Sequence, residues 1–283
     1  MVDASNKLRL VLADEGGPAF DPALMGESVA ERLYRRESFR APSRRRREPL
    51  EPYSCAWFEQ IERHRYGRHG AWIPRTLEFT RHRGETILGL GEGLGTDWLQ
   101  YAKCGASVIA CSPSEEQLGL VKRHFELRDM PGRFYHAPPH ALPIEAASVD
   151  VVCLEGLLHE IDDPAAVIAE VYRVLRPGGK VIALAPAHYD AAFWSRIAYP
   201  WMRLLDRTSE SPARAATARQ LRRDFVQFRD HKVSKRHLRR AVLPQLWRLL
   251  PLALLERLIG QVLILKAFKP LSAALSKPIA IAA

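Results

Sequence analysis

Thr86-Ile87-Leu88-Gly89-Leu90-Gly91-Glu92-Gly93-Leu94-Gly95-Thr96-Asp97 decides the fold of this chain. Residues 86–90 are an apolar run of strand length, Gly91, Gly93 and Gly95 fall at alternate positions, and a helical pattern begins at Thr96 or Asp97. The stretch predicts a strand, a tight turn and a helix. Three glycines in the turn let backbone N–H groups approach a ligand without interference from Cβ atoms, at the partly positive N-terminus of the following helix. The spacing is not the Gly-x-Gly-x-x-Gly of dinucleotide binders, so the turn is informative only with the residues that follow it.

Those residues alternate regularly. A helix is expected from Asp97 to Lys103 with Gly105 as its C′ residue. A buried strand follows over residues 107–111, then a helix capped by Ser114, with Gln117 at the capping-box position, running to about Arg128 before Pro131-Gly132. A third strand is expected over residues 133–137 and a fourth over 148–154. Asp163-Pro164 opens a helix whose Val167, Ile168, Val171, Val174 and Leu175 recur at helical spacing, and Arg176-Pro177-Gly178-Gly179 stops it before a fifth strand over 180–186. Strands alternating with helices predict an α/β, Rossmann-like, doubly wound and mostly parallel sheet with helices on both faces, whose ligand sits beyond the carboxyl ends of the strands. Upstream, Trp57, Phe58, Ile61 and Trp72-Ile73 predict an amphipathic helix and a short one covering an edge of this domain.

Three pieces carry a family resemblance: the glycine turn; Asp150-Val151-Val152-Cys153-Leu154-Glu155-Gly156-Leu157-Leu158-His159; and Val174-Leu175-Arg176-Pro177-Gly178-Gly179-Lys180. In this order and at these separations they resemble the class I S-adenosylmethionine-dependent methyltransferases, in the small-molecule group that includes ubiquinone and menaquinone methyltransferases. Residues 261–269 resemble the last strand of that sheet. The resemblance implies S-adenosylmethionine as cofactor, methyl transfer to a small, hydrophobic, even lipid-like acceptor, and a cofactor site at Gly91, Glu92, Gly93, Gly95, Thr96, Asp97, Cys111, Ser112, Pro138 and Glu155. His159, with Glu160 beside it, is the candidate catalytic base; a packing or capping role is the competing reading of a lone histidine.

The chain departs from the family at three acidic positions. A carboxylate before the first glycine of the loop corresponds to Gly89; the ribose-binding carboxylate corresponds to Cys111, followed by Ser112; the adenine-binding carboxylate corresponds to Pro138 in His136-Ala137-Pro138-Pro139-His140. Glu92 and Glu155 are the carboxylates best placed to compensate. The alternative to an enzyme is a catalytically degenerate methyltransferase fold serving as a binding or scaffolding subunit. His136, His140 and His188 fall near strand ends without metal-ligand spacing, so no metal is expected.

Charge divides the chain. Residues 84–186 hold 14 Asp and Glu against 8 Lys and Arg, whereas residues 203–248 hold 13 Lys and Arg against 4 Asp and Glu, within an overall net charge of +10. The expected organisation is a basic, irregular arm over 1–52 ending in Ser43-Arg44-Arg45-Arg46-Arg47, a core over 53–187, an aromatic and basic helical lid region over 188–270, and a tail over 271–283. No strand is evident around 225–250. The lid region carries Tyr189, Phe193, Trp194, Tyr199 and Trp201, and its basic and apolar stretches suit an anionic membrane surface or a protein partner; solvated helices packed on the sheet are the plainer alternative. Nucleic acid is disfavoured, because no target-base motif follows strand four. The four scattered cysteines suit free thiols, and neither a secretory leader nor an apolar run of about 18 residues is evident, so a cytoplasmic protein, peripheral to the membrane, is expected.

Overall fold

The computed structural model describes residues 10–11, 50–67, 70–91, 93–190, 193–194, 215–238 and 251–271. Glu92, the arginine run before Glu48, Tyr199, Trp201 and the expected tail beyond Leu271 lie outside the described residues.

The alternation produces the sheet it predicts. The strands are β1 (Leu10–Val11), β2 (Thr86–Gly91), β3 (Ser107–Ser112), β4 (Arg133–His136), β5 (Val149–Glu155), β6 (Leu175–Pro186), β7 (Arg229–Arg236) and β8 (Val262–Phe268). Their order across the sheet is β1-β4-β3-β2-β5-β6-β8-β7. The five strands from β4 to β6 run parallel, while β8 joins β6, β7 joins β8 and β1 joins β4 in antiparallel pairings. The helices are α1 (Cys55–Arg65), α2 (Ile73–Leu77), α3 (Thr96–Lys103), α4 (Glu115–Glu126), α5 (Pro164–Val174), α6 (Ala218–Asp224) and α7 (Leu252–Ile259).

Because side chains alternate along a strand, the central apolar runs feed two cores. Leu88, Leu90, Val152 and Leu154 face α5, where Val167, Ile168, Val171 and Val174 form the helix stripe. Ile87, Val108, Val151 and Ile182 face the opposite layer, with Trp98 and Leu99 of α3 and Val121 and Phe125 of α4. A third cluster places Trp57, Phe58 and Ile61 of α1 over Leu94 of the glycine turn and Leu120 of α4.

Local signals set most helix ends. Ser54 caps α1 by accepting from the Trp57 N–H at 3.2 Å, and Asp163 caps α5 by accepting from the Ala166 N–H at 3.1 Å. Gly105, at φ +89°, closes α3 as expected.

Two expectations about the flanks need correction. Residues 229–236, read as part of a basic helical stretch without a strand, form β7; among the described residues of that stretch the helix is α6, opened by a full capping box at Thr217 and Gln220. The sequence Arg-Asp-His-Lys-Val-Ser-Lys-Arg is an outer strand that pairs on one side only, where charged residues are tolerated and block further pairing. The N-terminal arm, expected to be irregular, contributes Leu10–Val11 as a two-residue strand against Phe134 and Tyr135.

Candidate functional site

The chain leaves β2 toward β3 on one side and reaches β5 on the other, so the crevice above β2 and β5 is the switch point where doubly wound sheets take ligands. The glycine turn lies there. Gly91 sits at φ +152°, and a Cβ on it would fall 2.1 Å from the Glu155 carbonyl oxygen. Gly95, at φ +64°, starts α3, and a Cβ there would fall 2.7 Å from Val121 Cγ1. Both glycines are therefore required by the protein's own packing.

The turn is shaped from behind by one face of α4. Gln117 Nε2 donates to the carbonyls of Gly91 and Gly93, each at 3.1 Å. One turn further along α4 Val121 packs against Gly95, and beyond it His124 Nδ1 donates to the Leu94 carbonyl at 2.9 Å. His124 is fully buried, stacked on Phe58 with ring centroids 4.2 Å apart. Burial, reinforced by Arg128 and only partly opposed by the Leu94 bond, lowers its pKa to about 4. The imidazole is thus neutral at pH 7 and protonated on Nδ1. These residues were missed by sequence reasoning, which gave Gln117 a capping-box role. Half of that box forms, since Ser114 Oγ accepts from the Gln117 N–H at 3.3 Å, but the Gln117 side chain turns to the glycine turn instead of returning to the cap. The spacing 117, 121, 124 on one helix face was the available signal.

The three absent carboxylates have different structural accounts. A Cβ at Gly89 would fall 2.4 Å from the Trp98 ring, so the indole occupies the space of any side chain there. Cys111 is turned into the core, its thiol donating to the Ala137 carbonyl at 3.6 Å and pushed up to about 12 by burial against the small opposing effect of that bond. Ser112 is the polar group at the end of β3: its hydroxyl donates to Gln117 Oε1 and accepts from the Ser114 N–H, both at 3.1 Å. Pro138 is exposed, its carbonyl accepting from the Ala141 N–H at 3.0 Å, and neither it nor Pro139 has an N–H to offer.

Acidic groups gather instead at the mouth of β2 and β5. Asp97, wholly buried in the first turn of α3, receives Arg65 in a two-point contact, Nε to Oδ1 at 2.8 Å and Nη2 to Oδ2 at 2.6 Å. Arg65 Nη2 also contacts Glu155 Oε1. Glu155 is the ladder partner of Gly91, so the cluster abuts the glycine turn. The Tyr66 hydroxyl lies 2.7 Å from Asp97 Oδ1 and 3.1 Å from the Thr96 carbonyl; burial, then the Asp97 charge, hold its pKa well above the usual phenol value. Glu155, read as a free replacement carboxylate, is therefore half of a shared ion pair, and Arg65 at the end of α1 is the partner that sequence reasoning did not supply. Two carboxylates share one guanidinium here.

His159 stands on the turn after β5 with Nε2 3.2 Å from Glu160 Oε1. His136 Nε2 donates to the Pro113 carbonyl at 2.9 Å, and His188 packs its ring against Tyr189 at 4.8 Å and Phe193 at 5.7 Å. Among the described residues no three His, Cys, Asp or Glu converge as a metal site.

The methionine end of S-adenosylmethionine fits what is present. Thr96 Oγ1, buried on the turn, has no partner among the described residues, and Glu155, the partly exposed carboxylate of the cluster, lies where the cofactor would carry its positive charge, while Asp97 is buried behind it on Arg65. The ribose end finds a neutral hydroxyl, Ser112, and the adenine end finds Pro138-Pro139.

Residues 87–183 match the methyltransferase domain family. A demethylmenaquinone methyltransferase from Clavibacter sepedonicus is 35% identical over 99 residues, covering 35% of this chain and 40% of that protein. A ubiquinone biosynthesis O-methyltransferase from Aromatoleum aromaticum is 29% identical over 39% of this chain and 46% of its own length. The chain thus spans less than half the length of these relatives. Among solved structures, an S-adenosylmethionine-dependent methyltransferase from Aquifex aeolicus overlays with a TM-score of 0.52 at 13% identity, over 78% of this chain and 99% of that one. One from Methanosarcina mazei gives 0.50 at 19% identity, over 71% and 99%. These overlays speak to the fold. Residues 87–183 thus match a methyltransferase domain, on a fold similar to that of solved S-adenosylmethionine-dependent methyltransferases.

Proposed function

We propose that this protein transfers a methyl group from S-adenosylmethionine to a small, apolar acceptor. The observation that carries the reading is the glycine turn at the switch point, its Gly91, Gly93 and Leu94 carbonyls tied back to α4, with Asp97 and Glu155 set beside it. The cofactor would supply an electrophilic methyl on a sulfonium. The chain's residues position and neutralise: Glu155, the partly exposed carboxylate beside the turn, would meet the cationic end, Arg65 keeps Asp97 and Glu155 from repelling each other, and Ser112 is the polar group at the end of β3 where the ribose would lie. In-line methyl displacement needs positioning first, and a base only where the acceptor must lose a proton. For a hydroxyl acceptor, His159 with Glu160 is that base.

The acceptor's apolar wall is the cluster His188, Tyr189, Phe193 and Trp194 just beyond β6, whose rings meet at 4.8 to 5.7 Å. The relatives named as a demethylmenaquinone methyltransferase and a ubiquinone biosynthesis O-methyltransferase support a quinone-like, apolar acceptor. Calorimetric titration with S-adenosylmethionine and S-adenosylhomocysteine tests the reading, and micromolar binding is expected. No heat and no thermal shift at millimolar ligand would refute it. A second reading, a domain that has lost cofactor binding and acts as a scaffold, is favoured by Pro138-Pro139 and by the Trp98 ring over Gly89. That reading requires the negative titration.

A further inference from the structure

Beyond Ser112 the crevice is bounded by the chain that leaves β4. Ser112 and His136 are ladder partners at the ends of β3 and β4, so with the ribose at Ser112 the base of the cofactor would lie along His136-Ala137-Pro138-Pro139. Each N–H from Ala137 to Pro139 is committed or missing: Ala137 donates to the Ser112 carbonyl at 3.2 Å, and the two prolines have none. Two side-chain donors at the end of β3 are spent as well. The Ser112 hydroxyl donates to Gln117 Oε1, and the Gln117 amide donates to the Gly91 and Gly93 carbonyls, all at 3.1 Å.

What this wall keeps are acceptors. The Ala137 carbonyl takes one bond from the Cys111 thiol at 3.6 Å and the Pro138 carbonyl one from the Ala141 N–H at 3.0 Å, and each retains a second lone pair. His136 Nε2 lies 2.9 Å from the Pro113 carbonyl, which can only accept, so the ring donates there and its Nδ1 is an acceptor. Among the described residues the stretch from His136 to Pro139 therefore offers a base lone pairs from the His136 ring and the Ala137 and Pro138 carbonyls, and no N–H from residues 137–139.

Adenine and hypoxanthine differ by an exchange of roles. Adenine has a donor on its exocyclic amino group and an acceptor at the adjacent ring nitrogen; hypoxanthine has an acceptor at the exocyclic oxygen and a donor at that nitrogen. A wall with one acceptor and one N–H in the matching places pairs both groups of adenine and neither of hypoxanthine, and so separates the two strongly. A wall of acceptors pairs one group and leaves one unpaired in either base. We infer that the base end of this site does not distinguish an amino-purine from a keto-purine, so that S-inosyl ligands are taken as readily as S-adenosyl ones. This inference rests on the proposed cofactor site.

The test is calorimetric titration of the full chain with S-adenosylhomocysteine and with S-inosylhomocysteine, which differ only in that exchange, at about pH 8 to keep exposed histidines neutral. The two dissociation constants are expected to agree within about threefold. A larger preference for either ligand overturns the inference and leaves the cofactor site standing. No heat from either ligand refutes the proposed function, and this inference with it. Pro138→Asp, at an exposed position, supplies both missing features at once, a backbone N–H and a carboxylate. With an unchanged circular dichroism spectrum, it should create a preference of about tenfold for S-adenosylhomocysteine. Equal binding of the two ligands by Pro138→Asp would place the base away from this wall and overturn the inference.

Discussion

His124 should make the stability of this protein fall in a pH range where its carboxylates are still silent. The ring is buried, neutral and donating from Nδ1 to Leu94, and its pKa is lowered to about 4, against about 6.5 in an unfolded chain. Between these values the unfolded state binds the proton and the folded state does not. The stabilisation is therefore complete above about pH 6.5 and is lost as pH falls toward 4. At 1.36 kcal/mol per pKa unit the full span is roughly 3 kcal/mol, and between about pH 7.5 and pH 5 roughly 2 kcal/mol of it is lost. Glu78 behaves otherwise: burial favours its neutral form, but hydrogen bonds from Lys180 and Lys266 outweigh burial and hold it at about 2, so its contribution is complete above the usual carboxylate value of 4.5 and is lost as pH falls from there toward about 2. Urea unfolding of the wild type and of His124→Asn, which keeps a donor near the Nδ1 position, separates these effects. The wild type should lose about 2 kcal/mol more than the variant between the two pH values. Parallel declines in the two proteins would refute the assignment of this slope to His124.

Three further outcomes are expected. Gly89→Ala forces a methyl into the Trp98 ring and should cost about 1–3 kcal/mol in urea unfolding. The same change made in a Trp98→Leu background should cost markedly less, and additive losses would show that the two positions are not a matched pair. Arg65→Met leaves Asp97 buried without its cation and should destabilise by about 3–5 kcal/mol. Adding Asp97→Asn should recover part of that loss, and no recovery would refute the charge argument. Ser112→Asp places a carboxylate at the end of β3 where it can still accept from the Ser114 N–H, so under the proposed cofactor site calorimetric affinity for S-adenosylhomocysteine should rise about tenfold, which corresponds to about 1.4 kcal/mol. An unchanged or weaker affinity would mean that the adenosine lies elsewhere.

The sheet was legible wherever the pattern was local and apolar. Five parallel strands, the caps at Ser114 and Asp163 and the closing Gly105 follow from periodicity and turn chemistry. β7 was not legible, because an outer strand has no buried face to impose alternation, and Arg229 to Arg236 acquires its conformation only by pairing with β8. β1 is two residues long and carries no periodic signal at all.

The site divides along the same line. The sequence by itself determined the glycine turn, its position between a strand and a helix, and the loss of carboxylates at Gly89, Cys111 and Pro138, because these are statements about residue type at a fixed spacing. The tertiary structure decided how those losses are filled. Trp98 covers Gly89, Ser112 rather than Cys111 presents the polar group at the end of β3, and Gln117 and His124 grip the turn. It also decided that Arg65 joins Asp97, 32 positions away, and Glu155, 90 positions away. Such a charge is tolerated in a buried setting only when its partners are brought to it, and no local pattern records which partners the folded chain will bring.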